Sequence, residues 1–314
     1  MKLFVTFLIF ASFLQAEIVT RTKVMMGTFA TVKVQEQDSH HFKNVFKTLK
    51  RVEKSLSSYD KKSPIYKLNQ NKTAEINLYT YEALSLSKRY YKESGGYFNV
   101  AIGSITKDLY RFGEEQRVPD STELNATRTS LSALAFDEKS AKIVSGVKVD
   151  LGGMGKGYGI DRAAEYLKIN GIIQGSVALS GDIRCLDTCK IEVKNPFGKK
   201  SLASFTTKHV NMGITTSGNY NRYVESKEHN HLINPKTKQS ERNFASITLV
   251  STLPSSDIDA YATAASVMPK AVAYSFLNSL PLAYIVVEET GETVVSSNID
   301  FFVDALTFHD GAIE

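Results

Sequence analysis

The sequence has no tryptophan, only two cysteines and no strong excess of charge of either sign. Its 314 residues carry a formal net charge of +5, which suits an anionic small molecule but is too weak to indicate a nucleic-acid partner. No internal repeat or low-complexity tract stands out. The composition is that of an ordinary soluble globular protein, long enough for one large domain with a substantial core.

The apolar run near the N-terminus is too short to span a bilayer comfortably. Leu3–Leu14 follows a single basic residue, Lys2, and precedes a small residue at Gln15-Ala16. This pattern predicts a cleaved secretory signal over residues 1–16, with an uncleaved anchor at the inner membrane as the alternative. No cysteine lies near the cut, which argues against a lipid anchor. We therefore expect residues 17–314 to form a single domain exported to a bacterial periplasm.

The two cysteines, Cys185 and Cys189, are separated by three residues between two predicted strands. An oxidising compartment would allow a short-loop disulfide across a hairpin, which would stabilise the fold only slightly. Metal binding is less favoured because no histidine or further cysteine lies nearby. The sequence leaves disulfide and free thiols as equal alternatives.

A glycine-rich segment, residues 149–162, is the feature around which the chain is organised. Val149–Leu151 is predicted to end a strand, five glycines follow with Lys156 among them, and a helix is predicted to continue to Asn170-Gly171. A strand, a glycine turn and a helix N-terminus together predict a phosphate or pyrophosphate site, with Lys156 as a point charge. The spacing lacks the third glycine of G-x-G-x-x-G and the Ser or Thr of a P-loop. Tight packing without a ligand is the alternative.

Helices and strands do not alternate regularly along the chain, which predicts an α+β fold with mixed or mainly antiparallel sheets. An amphipathic helix is predicted from Ser39 to Leu56. A second helix is predicted over Tyr81–Glu93, because Gly95-Gly96 would end it. Residues 141–144 and 147–151 are predicted to pair as a hairpin around Ser145-Gly146 that leads into the glycine-rich segment.

Asp259 and Thr263 are four residues apart on a predicted helix that opens at Pro254, so their oxygen atoms share one face. A carboxylate and a hydroxyl suit Mg²⁺, which would neutralise a pyrophosphate held by the glycine-rich segment. The alternative is that the Asp259 carboxylate only interacts favourably with the dipole of its own helix and that Thr263 is only a packing residue.

Two further residues are candidates for chemistry. His231 could act as a general base toward a hydroxyl, although a lone histidine is more often structural. Asp150, at the predicted strand end, could bond a ring or a ribose of a ligand, or could simply cap the glycine turn.

These blocks together resemble the ApbE family of FAD:protein FMN transferases, because six of them occur in the order found there, over about residues 24–287. The blocks are Met26-Gly27-Thr28, Asp150 to Tyr158, Ser180 to Arg184, Thr216-Ser217-Gly218, His231 to Pro235, and Asp259 to Ala264. The resemblance implies an ApbE-like fold. It also implies a Mg²⁺-dependent reaction that moves FMN from FAD onto a threonine hydroxyl of another protein and releases AMP.

The resemblance also implies roles for individual residues. The FAD site would be lined by Met26, Ser58, Tyr59, Asp60, Asn99, Asp150, Lys156 and Ile233. The metal would be held by Gly153, Asp259, Ala262 and Thr263, with Gly153 and Ala262 contributing backbone carbonyls. His231 would be the catalytic base.

Three positions depart from the family pattern. Asn99 and Asn234 each stand where an aspartate is usual, and Ser180 replaces the first glycine of a Gly-Gly-Asp block. None of them alters the proposed metal carboxylate or base, although Asn99 puts the FAD contact at that position in question.

Family acceptors are membrane subunits of redox complexes and exported flavoproteins. This chain contains no acceptor sequence of that type, so we expect modification of a separate protein. Two alternatives remain: a periplasmic FAD pyrophosphatase that yields FMN and AMP with the same site, and a flavin-binding protein without turnover. The sequence leaves the acceptor and the oligomeric state open.

Overall fold

The structure is a computed structural model that describes residues 17–220 and 222–309. The predicted signal, residues 1–16, lies outside the described residues. Among the described helices, none is both long enough and apolar enough to span a bilayer.

The fold is built on one eight-stranded sheet in which every neighbouring pair of strands is antiparallel. Its spatial order is β1 (Ile18–Met25), β2 (Thr28–Gln35), β6 (Gly175–Leu179), β7 (Asp182–Cys185), β10 (Met212–Gly218), β13 (Phe244–Ser251), β14 (Ala283–Glu288) and β15 (Thr293–Val295). The predicted α+β class with antiparallel sheets is therefore confirmed.

Three smaller sheets flank the large one. The first contains β16 (Val303–Phe308), β9 (Ser201–Thr207) and β8 (Lys190–Lys194). The second contains β3 (Thr73–Glu75), β5 (Ser140–Ile143) and β4 (Leu134–Phe136). The third is a short hairpin of β11 (Tyr223–Val224) and β12 (Ser226–Asn230).

Seven α-helices accompany the sheets in the described part of the chain: α1 (Phe42–Leu56), α2 (Pro64–Asn71), α3 (Leu78–Glu93), α4 (Ser121–Ala126), α5 (Gly155–Ile169), α6 (Ser255–Ser266) and α7 (Lys270–Asn278). The two predicted N-terminal helices are present as α1 and α3. Helix α3 begins three residues before the predicted start because the Asn77 side chain accepts a hydrogen bond from Thr80 N at 3.1 Å and caps it.

The predicted hairpin around Ser145-Gly146 is wrong. Strand β5 pairs with β3 and β4, and residues 147–151 form no strand. The buried Asn69 side chain takes the place of a strand partner: its amide donates to Val149 O at 2.8 Å and its oxygen accepts from Val149 N at 2.7 Å. Because these bonds satisfy the backbone of Val149, the segment can run extended without joining a sheet.

Cys185 and Cys189 form a disulfide that closes the short turn after β7, with their Cα atoms 5.9 Å apart. The structure thus decides between the two alternatives that the sequence left open. The buried Cys185 packs in the apolar cluster beneath β8 and β9, away from the glycine-rich segment.

Helices α5 and α6 lie side by side, with α5 also against α1 and α6 also against β10 and β13. Apolar side chains of α5 such as Ile160 and Leu167 pack beneath α1 and β2, whereas those of α6 such as Ile258 pack toward α3 and β13. The contact between α5 and α6 therefore joins the two largest parts of the core. It also places the N-terminal end of α5 next to the middle of α6.

Candidate active site

Helices α5 and α6 are joined by three polar contacts at four-residue intervals, which we call the α5–α6 ladder. At the first, Thr263 Oγ1 donates to Gly153 O at 3.1 Å. At the second, Gly157 N donates to Asp259 Oδ2 at 3.0 Å. At the third, Asp161 accepts from Ser255 N at 2.7 Å and so caps the N-terminus of α6. Each helix thus supplies a carboxylate to the N-terminal turn of the other.

The glycines of the segment make this close approach of two helices feasible. A Cβ on Gly157 would lie 2.3 Å from Ser255 O, and a Cβ on Gly153 would lie 2.9 Å from Thr263 Cγ2. Both contacts are too short for any side chain. At least these two glycines are therefore needed for packing, which was the alternative to a ligand role in the sequence analysis.

Lys156 lies in a cluster with two buried carboxylates. Its ammonium donates to Asp182 and to Asp259, the latter at 3.3 Å, and Thr215 donates its hydroxyl to Asp182. Burial and Asp182 raise the pKa of Asp259 to about 7, against the opposing effects of Lys156 and Gly157 N–H. Burial alone would lower the pKa of Lys156, but the two carboxylates outweigh it and raise that pKa.

This arrangement changes the expected anion site in one respect. The anion at the N-terminus of α5 is the Asp259 carboxylate, so the N–H of Gly157 is not free to bind a phosphate. Two carboxylates face one lysine, which leaves an excess of negative charge that a divalent cation would neutralise. Lys156 remains partly open to solvent, with its side chain 33% exposed.

The predicted metal ligands meet at the first two contacts of the ladder. Gly153 O, Thr263 Oγ1 and the Asp259 carboxylate are hard oxygen donors of the type that Mg²⁺ prefers. The Ala262 carbonyl, the fourth predicted ligand, accepts a hydrogen bond from Ser266 Oγ at 2.7 Å. No group of three or more His, Cys, Asp or Glu suited to a metal occurs among the described residues. Three of the four predicted donors, Gly153 O, Thr263 Oγ1 and the Asp259 carboxylate, thus suit a magnesium ion that would keep water or substrate oxygens as its other ligands.

Asp150 lies at the entry to the glycine turn and caps it, as the second of its two predicted roles requires, while its other oxygen is bonded within the protein. Its Oδ1 caps the turn by accepting from Gly152 N at 3.0 Å. Its Oδ2 accepts from Thr106 Oγ1 at 2.7 Å and lies 3.3 Å from the Lys107 ammonium. Burial opposes the charged form, but Lys107 and Thr106 outweigh it and hold the pKa of Asp150 below its usual value.

Two cations that no sequence motif marked lie beside the predicted FAD residue Tyr59. The Lys107 ammonium lies 4.2 Å from the Tyr59 ring centre and donates to its hydroxyl at 2.7 Å, and Arg222 donates to the same hydroxyl at 3.3 Å. Lys107 is carried by a π-helical turn, Ser104–Leu109, a rare element that often occurs at functional sites. Neither residue belongs to a block that the sequence analysis recognised, so no signal marked them.

His231 follows strand β12 and is oriented by a backbone group. Its Nδ1 lies 3.1 Å from Arg222 O, so in the neutral ring Nδ1–H donates to this carbonyl. Nε2 has no hydrogen-bond partner in the described part of the chain, which leaves it as the atom able to accept a proton. Burial and Arg222 lower the pKa of His231 to about 4, with smaller effects from Lys156 and Asp150, so the ring is neutral at pH 7.

Three of the predicted FAD residues form turns beside the site. Met26 adopts an unusual backbone φ of +52° at the tip of the β1–β2 hairpin, where its N–H donates to Glu53 at 2.9 Å and its sulfur packs over Gly159 of α5. Ser58 and Asp60 belong to the bend after α1, in which the hydroxyl of Ser57 accepts from Asp60 N at 3.0 Å. This bend places the half-exposed Tyr59 ring next to Lys107.

The remaining predicted residues have their side chains engaged by the protein itself. Ile233 is buried in a small apolar cluster with Tyr110 and Phe112, so only its backbone could contact FAD. Asn99 donates to Thr129 O at 2.7 Å and accepts from Ala101 N at 2.9 Å. An aspartate could make only the second of these bonds, because an ionised carboxylate has no hydrogen to donate to Thr129 O. The bond to Thr129 therefore explains why asparagine stands at position 99.

Of the other two departures, Asn234 has a local explanation, whereas nothing in the structure explains the serine at position 180. Asn234 is buried and donates its amide to Glu241 at 2.8 Å, where an aspartate would face a second carboxylate. Ser180 adopts a left-handed backbone with φ of +57°, a conformation that favours glycine, so a glycine is the residue that usually occupies such a turn.

Asp161 gives a test of the ladder. Replacing it by asparagine should raise the Mg²⁺ concentration needed for half-maximal activity about 10- to 100-fold, the range seen when a residue that supports metal ligands is lost. The reason is that α6 loses its charged cap and Asp259 and Thr263 lose their register against α5. A Mg²⁺ titration of the rate measures this, and kcat at saturating Mg²⁺ should change little.

The matched control is Asp257→Asn, which removes another buried carboxylate in the first turn of α6, paired with Arg89 on α3. It should lower Tm without changing the Mg²⁺ requirement. Equal Mg²⁺ requirements for both variants and the parent would leave Asp161 with a structural role only.

The family comparison agrees with the resemblance noted from the sequence. The sequence pattern of the ApbE family matches residues 26–286. Two curated relatives are each named FAD:protein FMN transferase: one from Vibrio cholerae is 27% identical over 290 residues, covering 85% of this chain and 86% of the relative. The other, from Escherichia coli K12, is 24% identical over 295 residues, covering 85% and 83%.

Solved structures with the same fold include an ApbE protein from Thermotoga maritima, with a TM-score of 0.82 and 24% identity, covering 92% of this chain and all of that one. The flavin transferase ApbE from Vibrio cholerae superposes with a TM-score of 0.78 at 25% identity, covering 91% and 99%. The curated relatives and the Vibrio cholerae structure are named for flavin transfer, and the predicted ApbE-like fold is confirmed.

Proposed function

Because this chain belongs to the ApbE family, we propose that it is an FAD:protein FMN transferase that uses Mg²⁺ and modifies a threonine hydroxyl of an exported or membrane protein. The observation that carries the proposal is the meeting of Gly153 O, Thr263 and Asp259 beside Lys156. This is a donor set for a divalent cation next to a lysine, as a diphosphate substrate requires. Lys156 and Asp150 also lie close enough to His231 to affect its pKa.

The proposed reaction breaks one bond and forms another at the phosphorus on the FMN side of FAD. The threonine oxygen attacks this phosphorus, the diphosphate bridge breaks, and AMP leaves with the bridging oxygen. The product is a phosphoester-linked flavin. Bound Mg²⁺ would neutralise charge on the diphosphate and on the leaving AMP.

The residues of this chain contribute positioning, charge and a base. Lys156 faces the diphosphate as a cation while Asp182 keeps its ammonium in place. We assign the half-exposed Tyr59 ring and the Asp150 carboxylate to contacts with the neutral parts of FAD, which the resemblance to the family supports. His231 Nε2 takes the proton of the attacking threonine, because Nδ1 is fixed on Arg222 O and the ring is neutral at pH 7.

The direct test is to incubate the purified protein with FAD, Mg²⁺ and a co-expressed exported candidate acceptor. The proposal expects a mass increase on the acceptor equal to FMN and flavin fluorescence on the acceptor band in a gel. Release of FMN and AMP without modification would instead identify an FAD pyrophosphatase. Bound and unchanged FAD would identify a flavin-binding protein without turnover.

Replacing His231 by alanine should slow transfer about 10²- to 10⁴-fold, the usual contribution of a general base, and should leave FAD affinity nearly unchanged. The reason is that the ring serves the attacking hydroxyl and makes no contact with Lys156 or Asp259 in the hydrogen-bond network. Single-turnover rates and FAD fluorescence quenching measure the two quantities. A normal rate would remove His231 from the base role.

We further propose that the protein acts in the periplasm after cleavage of residues 1–16. The support is the sequence pattern of that segment alone: one lysine, a short apolar run and a small residue at the cut. N-terminal sequencing of protein recovered from a periplasmic extract tests this. A mature N-terminus at Glu17 is expected, and an intact Met1 in the membrane fraction would contradict it.

A further inference from the structure

A cleft next to the candidate active site carries positive charge that the proposed chemistry of FAD does not use. Its volume is about 640 Å³, and its lining includes Arg128, Lys236 and Lys238. Among the described residues that line it, none is an aspartate or a glutamate, whereas Thr129 and Ser130 add polar groups. The cleft therefore offers cations and hydrogen-bond donors without any competing carboxylate.

Two of the three cations are held in place by the protein. The Lys236 ammonium lies 3.8 Å from the centre of the Tyr97 ring, and the Lys238 ammonium donates to Asn125 O at 2.8 Å. Arg128, Lys236 and Lys238 form no ion pair with a carboxylate in the described ranges. Three unneutralised cations around one cleft are the complement of an acidic ligand.

The cleft adjoins the candidate active site without containing its diphosphate-binding groups. Asn99, whose amide bonds the Thr129 carbonyl, lines the cleft, and Lys236 lies on the same short segment as His231. Lys156 and Asp259 are absent from the lining. The diphosphate is the only anionic part of FAD, because the flavin ring and the adenine are neutral at pH 7. A diphosphate at Lys156 would thus leave the charge of the cleft without a counterpart on FAD.

We infer that this basic cleft binds an acidic segment of the acceptor polypeptide and brings its threonine to the site. The inference rests on the proposed function for the identity of the second substrate. Opposite charges across such a surface raise the rate of encounter and fix the register of the bound chain. Binding of this kind weakens as salt concentration rises, because exposed charges are screened.

The test uses rhodamine-labelled octaglutamate and octalysine peptides with the FAD-loaded protein, read by fluorescence anisotropy without added metal. Octaglutamate should bind and octalysine should not. The triple variant Arg128→Glu, Lys236→Glu, Lys238→Glu should weaken octaglutamate binding about tenfold or more, since each exposed ion pair contributes a small part. The milder triple change to glutamine should give an intermediate loss.

The matched control reverses three exposed lysines on the outer face of α1, with Lys43→Glu, Lys47→Glu and Lys54→Glu, and changes the net charge equally. It should leave octaglutamate binding within about twofold. Unchanged binding in the cleft variants, or an equal loss in the α1 control, would overturn the inference. A tenfold loss of FAD affinity in the cleft variants would assign the cleft to FAD and would overturn it too.

Failure of this inference and failure of the proposed function are distinguishable. A wild-type protein that transfers FMN but does not bind octaglutamate retains the function and loses the acidic docking surface. A wild-type protein that binds octaglutamate through the cleft but modifies no acceptor loses the proposed transferase function, whereas the cleft still binds acidic chains.

Discussion

Replacing Asp259 by asparagine should lower the rate of Mg²⁺-dependent FMN transfer about 100-fold or more, the range found when a group that stabilises charge in the transition state is lost. Asparagine can still accept the hydrogen bond from Gly157 N–H, so the second contact of the ladder is kept. What is lost is the negative charge that a metal needs and that Lys156 also faces. Rates measured over a range of Mg²⁺ concentrations, at saturating FAD, test this.

The alanine variant of Asp259 removes both the charge and the cap, so it should abolish metal-dependent turnover. Asp257→Asn again serves as the control, because Asp257 is equally buried on α6 but is paired with Arg89 and Tyr90. If Asp259→Asn transfers FMN at the parental rate with the parental Mg²⁺ requirement, Asp259 is not a metal ligand.

Replacing Gly157 by alanine should lower both stability and activity, with a loss of free energy of unfolding of about 3 kcal/mol, the upper part of the range for overpacked sites. The added Cβ would lie 2.3 Å from Ser255 O, which belongs to the backbone and cannot move aside without displacing α6. A displaced α6 would carry Asp259 and Thr263 away from the glycine turn. Urea unfolding and the Mg²⁺-dependent rate report the two effects.

Gly155→Ala is the matched control, two residues earlier on the same helix. A Cβ there would meet only Leu56 Cδ1, at an ordinary contact distance of 3.9 Å. Alanine is the better helix former, so stability should be unchanged or slightly higher. The account would be contradicted if Gly157→Ala were as stable and active as Gly155→Ala.

The predicted fold class was correct because it depended on chain-wide patterns. Apolar periodicity marked α1, and the irregular succession of helices and strands indicated mixed or mainly antiparallel sheets. The hairpin at residues 147–151 could not be excluded in this way. In the structure the backbone groups of Val149 are bonded by Asn69, some 80 residues earlier, and nothing in the local sequence indicates a contact at that separation.

The candidate site shows the same limit. The spacing of Asp259 and Thr263 correctly placed both oxygens on the face of α6 that meets the glycine turn, since that spacing is a property of a single helix. The partner of Lys156 was not predicted, because Asp182 comes from β7 and the pairing depends on how α5 lies on the sheet. For the same reason the sequence predicted a phosphate at the N-terminal end of α5, where the Gly157 N–H instead bonds the Asp259 carboxylate.

The most direct test of the account is a crystal structure of the protein with FAD and Mn²⁺, in which anomalous scattering locates the metal. The account predicts one ion about 2.1–2.2 Å from the Asp259 carboxylate and Gly153 O, close to the distances of oxygen-bound Mg²⁺, with the FAD diphosphate between this ion and Lys156. A diphosphate bound elsewhere, with Asp259 engaged only by Gly157 and Lys156 and no metal beside it, would contradict the account.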